Sequence, residues 1–148
     1  MPLITIDSSS FNEVNPERSR SYCRELEAGQ ILYFPNSPIV PPDVDLNFLL
    51  EQHQSSASYH KNVAYRPHRD KITGLSGDAK SNKGRLTTIM RNHSRQCTGF
   101  INTLLSPYSG AWSLDYGSFR PKEEEGRQLR LRARNDLLHI DAFPTRPT

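Results

Sequence analysis

The chain has 148 residues, 34% of them hydrophobic, with a formal net charge of +3 and a mean hydropathy of −0.70. That length suits one ordinary domain, but the apolar share is small, so either the core is small or the chain is one part of a larger domain. No run nears the roughly 18 apolar residues of a membrane span, no basic segment leads into an apolar stretch as in a signal peptide, and the positive excess is too dispersed for a nucleic-acid-binding module.

After a loose N-terminal end, Asn15 and Pro16 have the chemistry of a helix start, Tyr22 and Leu26 share a face, and Gly29 ends the helix. Ile31 to Phe34 is a short apolar run of strand type, stopped by Pro35. Pro38, Pro41 and Pro42 make an extended connection, after which Asp43 or Asp45 can cap a second helix carrying Leu46, Leu49 and Leu50.

Residues 52–84 are polar and rich in turn formers, which predicts a long surface excursion. From Leu86 through Ile89, Met90, His93, Cys97, Phe100, Ile101 and Leu104 to Leu105, the chain then steps by three and four residues, the period of a helix that closes before Pro107. His93 on that stripe reads as a core-edge histidine with a hydrogen-bond partner, with a ligand role as the alternative. Cys23 and Cys97 lack metal-ligand spacing and are expected to be reduced, which suits a soluble intracellular protein.

Strands follow. Ala111 to Phe119 spaces Trp112, Leu114, Tyr116 and Phe119 among small residues, and Lys122 to Gly126 is a charged turn. Leu129, Leu131 and Ala133 then alternate strictly with Arg130, Arg132 and Arg134, as in a half-buried strand. Helices feeding consecutive strands predict an α+β fold in which the N-terminal helices back a sheet.

The last strand-like run, Leu138 to Phe143, contains His139 and Asp141. Residues two apart on a strand point the same way, and an imidazole, a carboxylate and a second His form the facial triad that holds non-haem Fe(II). That second His would come from His53, His60, His68 or His93, from another chain, or from sequence beyond Thr148. The pattern is cheap, because His68 and Asp70 repeat it. That copy stands beside Pro67 in the polar excursion, where no strand or apolar packing is expected to hold it, and reads as a decoy. His139 and Asp141 sit among Leu137, Leu138, Ile140, Ala142 and Phe143, a setting that can fix ligand geometry. On spacing and context alone, a metal site and a structural His–Asp hydrogen bond are both open.

The segment Leu137 to Thr148, the preceding Leu129 to Asp136 and the earlier Ile31 to Pro35 resemble the bacterial Kdo hydroxylases. These are Fe(II)- and 2-oxoglutarate-dependent dioxygenases acting on the 3-deoxy-octulosonic acid (Kdo) sugar of the lipopolysaccharide inner core. The resemblance implies an oxidoreductase with Fe(II) as metal and 2-oxoglutarate as cosubstrate, a double-stranded β-helix (jelly roll) incomplete in this chain, and His139 and Asp141 as the first two iron ligands. It implies a second iron-binding His and a 2-oxoglutarate-binding basic residue further on, so residues 1–148 are expected to be one domain, the N-terminal portion of a larger dioxygenase domain, and inactive alone. Arg130, Arg132, Arg134 and Arg146 would then present a basic surface to an anionic sugar or glycolipid, the alternative being a polar strand face turned to water. The implied location is cytoplasmic, at the inner face of the inner membrane, with no nucleic-acid partner. The competing readings are a non-enzymatic interaction or carbohydrate-binding domain with a structural His–Asp pair, and a cupin-like metal protein, against which Asp141 in place of a second His counts.

Overall fold

The computed structural model describes residues 3–7, 12, 14–52 and 62–120. His53 and His60, the Lys122 to Gly126 turn, the arginine strand and the run bearing His139 lie outside the described residues.

The first unit is a strand, helix and strand. Strand β1 (Leu3–Thr5) pairs in parallel with β2 (Ile31–Tyr33), Ile4 opposite Leu32, and α1 (Ser19–Glu27) makes the crossover. The loose N-terminal end predicted above is therefore in part a strand: three residues, two of them the β-branched Ile4 and Thr5, find a partner only after the helix has returned the chain. Asn15 caps as expected, its side chain accepting from the Glu17 amide at 2.8 Å, but it caps a single 3₁₀ turn (Pro16–Arg18) that leads into α1. Gly29, at φ 77°, supplies the left-handed residue that ends the helix.

Helix α2 (Asp43–Leu50) departs from expectation at its cap and in its inward face. No side chain caps it, and the Pro42 carbonyl instead accepts from the Asp45 and Leu46 amides at 2.8 and 2.9 Å. Asp43 and Asp45 lie in the first turn, where their charge favours the helix dipole. Phe48 and Leu49 pack inward while Leu50 is 73% exposed, because the proline-rich approach fixes which side of this short helix meets its neighbours. Arg85 joins α2 to the long helix, donating to the Val44 carbonyl at 3.1 Å with its guanidinium 3.9 Å over the Phe48 ring.

The predicted surface excursion contains a hairpin. Strand β3 (Val63–Arg66) pairs antiparallel with β4 (Lys71–Thr73) on one side and with β5 (Gly117–Phe119) on the other, giving the order β4-β3-β5. Val63, Tyr65 and Ile72 are buried, so a segment polar in average composition carries the core on alternate residues. Of the strand expected over Ala111 to Phe119, only the last three residues are strand. Gly74, at φ 81°, lies so close to the Asn62 carbonyl oxygen that a side chain there would collide with backbone.

Short α3 (Asp78–Ser81) leads into α4 (Lys83–Leu104), 22 residues long, ending before Pro107 as its periodicity predicts. Two apolar clusters use this one helix. Leu86 and Met90 pack with Val63, Tyr65, Ile72 and Ala79 beneath the three-stranded sheet. Phe100 and Leu104 pack with Ile6, Val14 and Tyr22, the Phe34 ring meeting Phe100 edge-on at 5.4 Å. Buried polar groups tie the ends: Ser19 Oγ donates to the Thr103 carbonyl at 2.7 Å, and Gln52 bridges the Phe48 carbonyl and the Asn82 amide. The architecture is mixed helix and strand, with α4 as the common support. Among the described residues no helix is long and apolar enough to cross a membrane.

Candidate functional site

The hairpin turn between β3 and β4 is built from the second His-x-Asp copy. Pro67 opens a 3₁₀ turn (Pro67–Arg69), and Asp70 closes it in the left-handed region at φ 45°, a conformation Asp tolerates better than most residues. Arg91 on α4 holds that geometry with a two-point grip, Nε donating to Asp70 Oδ1 at 2.8 Å and Nη2 to Oδ2 at 2.7 Å. The Tyr65 hydroxyl, at the foot of the same turn, donates to Oδ1 at 2.8 Å. The expectation that no strand or apolar packing would hold this copy is corrected: the paired strands β3 and β4 flank the turn, Tyr65 and Ile72 on them are in the core, and the Arg91 ion pair fixes the Asp70 carboxylate. Its two side chains are nonetheless not joined as a ligand pair, for Asp70 is committed to Arg91 and His68 stands exposed on the turn.

The electrostatics follow from these contacts. The Arg91 guanidinium, and after it the Tyr65 hydroxyl, hold the Asp70 carboxyl below its ordinary value of 3.8. Burial first, then the neighbouring carboxylate, pushes the Tyr65 hydroxyl above 10.0. A group with a depressed folded value contributes stability that is present in full above its unfolded value and lost as pH falls through the folded one. The tie between hairpin and helix is therefore expected to persist at pH 5 and to fail only below 3.8. Unfolding followed from pH 6 down to pH 2 should show stability falling in that window for the wild type, and less steeply for Asp70→Asn.

Above this network lies a cleft of about 520 Å³. Tyr65, Pro67 and Asp70 form one wall, and α4 forms the other through Arg91, Ser94, Arg95, Thr98 and Asn102. Those five recur at helical spacing on a flank of α4 that runs from the buried Ser94, beside the apolar stripe, to the exposed Arg95. From sequence such a row reads as a solvated face, and the hairpin that turns it into a cleft wall was itself missed. The available signal was Val63, Tyr65 and Ile72 on alternate positions around a Pro-containing turn.

His93 lies on the other side of α4, half-buried, with Nε2 3.5 Å from Cys97 Sγ one turn on, and its Nδ1 has no hydrogen-bond partner among the described residues. The expected core-edge placement holds, with only a weak sulfur partner. Burial pushes the Cys97 thiol above its ordinary 9.0. Among the described residues no three His, Cys, Asp or Glu side chains are grouped to hold a metal. His139, Asp141, Arg130, Arg132, Arg134 and Arg146 lie outside the described residues.

No curated protein matches this chain. The whole chain superposes on solved structures of the Kdo hydroxylase KdoO, a non-haem Fe(II) α-ketoglutarate-dependent dioxygenase. The similarity is 29% identity with a TM-score of 0.75 to the cobalt(II) complex, 28% and 0.74 to the apo form, and 27% and 0.73 to the complex with α-ketoglutarate and Fe(III). It spans about half of those chains, 49%, 49% and 48% respectively. A family model for 3-deoxy-D-manno-oct-2-ulosonic acid (Kdo) hydroxylase matches residues 10–148, and the chain belongs to that family.

Proposed function

We propose that this chain is the N-terminal portion of an Fe(II)- and 2-oxoglutarate-dependent dioxygenase that hydroxylates the Kdo sugar of the lipopolysaccharide inner core. The observation that carries the reading is the family match over residues 10–148, joined to full-length superposition on half of an enzyme described with both iron and α-ketoglutarate. In this reading residues 1–148 belong to a single larger domain, whose strands complete a jelly roll.

The donor set fits the metal. His139 offers a neutral imidazole nitrogen and Asp141 an anionic oxygen, two of the three groups of a facial triad. Asp141 then serves as an anionic ligand that offsets part of the charge of the ion, and does not act as a general base. When bound, Fe(II) and 2-oxoglutarate supply the oxidising power, one atom of O₂ leaving in succinate beside released CO₂ and the other entering a C–H bond of the sugar. Arg130, Arg132, Arg134 and Arg146 supply positive charge suited to the carboxylates and phosphates of an anionic glycolipid. Such a substrate suits a cytoplasmic enzyme working at the inner membrane surface.

The test is to incubate the full-length gene product with Fe(II), 2-oxoglutarate, O₂ and Kdo-bearing lipid A, and to follow product mass and succinate. Gain of one oxygen atom by the Kdo residue, matched by one succinate, is expected. Succinate formation with no change in the sugar would overturn the substrate assignment, and the absence of both would overturn the enzyme reading.

A further inference from the structure

The sheet formed by β1 and β2 is covered on one side only. Ile4 and Leu32 lie opposite one another and are half-buried, and Leu32 and Phe34 pack against the cluster of Ile6, Val14, Tyr22, Phe100 and Leu104. The residues on either side of Ile4 and Leu32 point the other way. There Leu3 stands opposite Ile31 and Thr5 opposite Tyr33. Leu3, Ile31 and Tyr33 are 55%, 48% and 47% exposed, and none of the four residues of this outer face is charged.

Parallel strands occur almost only in sheets with both faces covered, and two strands by themselves need packing to hold. The exposed apolar residues of α2 do not form such a face, because Val44, Leu46 and Leu50 are interleaved with the exposed Asp43, Asn47 and Glu51. The chain spans 48–49% of the enzymes on which all of it superposes. In the proposed function about as much polypeptide again therefore belongs to the same domain, and the outer face of the sheet is the apolar surface available to it.

We infer that the outer face of the β1–β2 sheet is the seat of the remaining half of the polypeptide, whose apolar side chains pack on Leu3, Ile31 and Tyr33 and which supplies a hydrogen-bond partner to the Tyr33 hydroxyl. That half belongs to the proposed function, on which the seat therefore depends, whereas the need for a cover comes from the strands themselves. The sheet is then a middle layer, with the cluster shared by α1 and α4 behind it and the second half of the enzyme in front.

The experiment is hydroxyl-radical footprinting of the full-length gene product, read residue by residue against the same protein unfolded in urea. Ile31 and Tyr33 should be labelled at about a twentieth of their unfolded rate, as core side chains are. Their 48% and 47% exposure in residues 1–148 alone would leave about half of that rate, and labelling at that level would overturn the inference. So would protection that disappears on dilution, which would make the occupant a second copy, or protection that needs added vesicles of phosphatidylglycerol and phosphatidylethanolamine, which would make it a membrane surface. Ile31→Asn should lower the Tm of the full-length protein by about 5 °C or more, since it buries an unpaired amide. Leu50→Asn should leave the Tm within about 2 °C of the wild type, and equal shifts in the two variants would also overturn the inference. Should Ile31→Asn fail to fold, the wild-type footprint decides alone. Because footprinting needs neither iron nor turnover, protection of Tyr33 in a protein that fails to hydroxylate Kdo would sink the proposed activity alone, whereas hydroxylation with Tyr33 open would sink only this seat.

Discussion

Replacing His139 by Ala in the full-length gene product is expected to abolish Fe(II) binding and hydroxylation together. Removal of an outer partner of a metal ligand typically costs about 10–100-fold in affinity or activity, and loss of a ligand itself should exceed that. The contrast that gives the experiment its force is His68→Ala. Both histidines precede an acid by two residues, but Asp70 is already held by Arg91 and Tyr65, and His68 is exposed on a turn. The visible charge-transfer band formed anaerobically with Fe(II) and 2-oxoglutarate should therefore vanish in His139→Ala and survive in His68→Ala. The opposite pattern would move the iron centre to the hairpin, and a band that survives both changes would remove the ligand role from His139.

The second large effect is structural. Leu86 is fully buried at the start of α4, against the strands and Ala79. Leu86→Ala should lower the unfolding free energy by about 3 kcal/mol, within the range for emptying a buried leucine site. Leu50→Ala, where the side chain is 73% exposed, should change it by less than about 0.5 kcal/mol. Equilibrium denaturation of both variants checks the pair. Equal effects would mean that the assigned core is not where the stability resides.

What could be read in the sequence, and what could not, follows from the length over which each signal repeats. Helix α4 sustains its period over six turns, so its extent and apolar face were legible, as was α1 from Asn15 to Gly29. The strands are three or four residues long, too short for alternation to stand out from a polar background, so β1, β3 and β4 were missed. Asp43 and Asp45 illustrate a different limit: capping depends on where the backbone turns, which Pro42 decided. The cleft was illegible because its two walls are 21 residues apart at their closest tie, Asp70 to Arg91, and only the hairpin brings them together. The family, in contrast, was legible in Ile31 to Pro35 and above all in residues 129–148, the latter lying outside the described residues.

Helix α4 gives both apolar clusters a shared backbone, and the Asp70–Arg91 ion pair fastens the β3–β4 turn to that same helix. Since both clusters lean on one helix, unravelling it is expected to open both together. Amide exchange should then proceed at a common free energy from the turn at Leu86 to the turn at Leu104, and not as separate openings of each cluster.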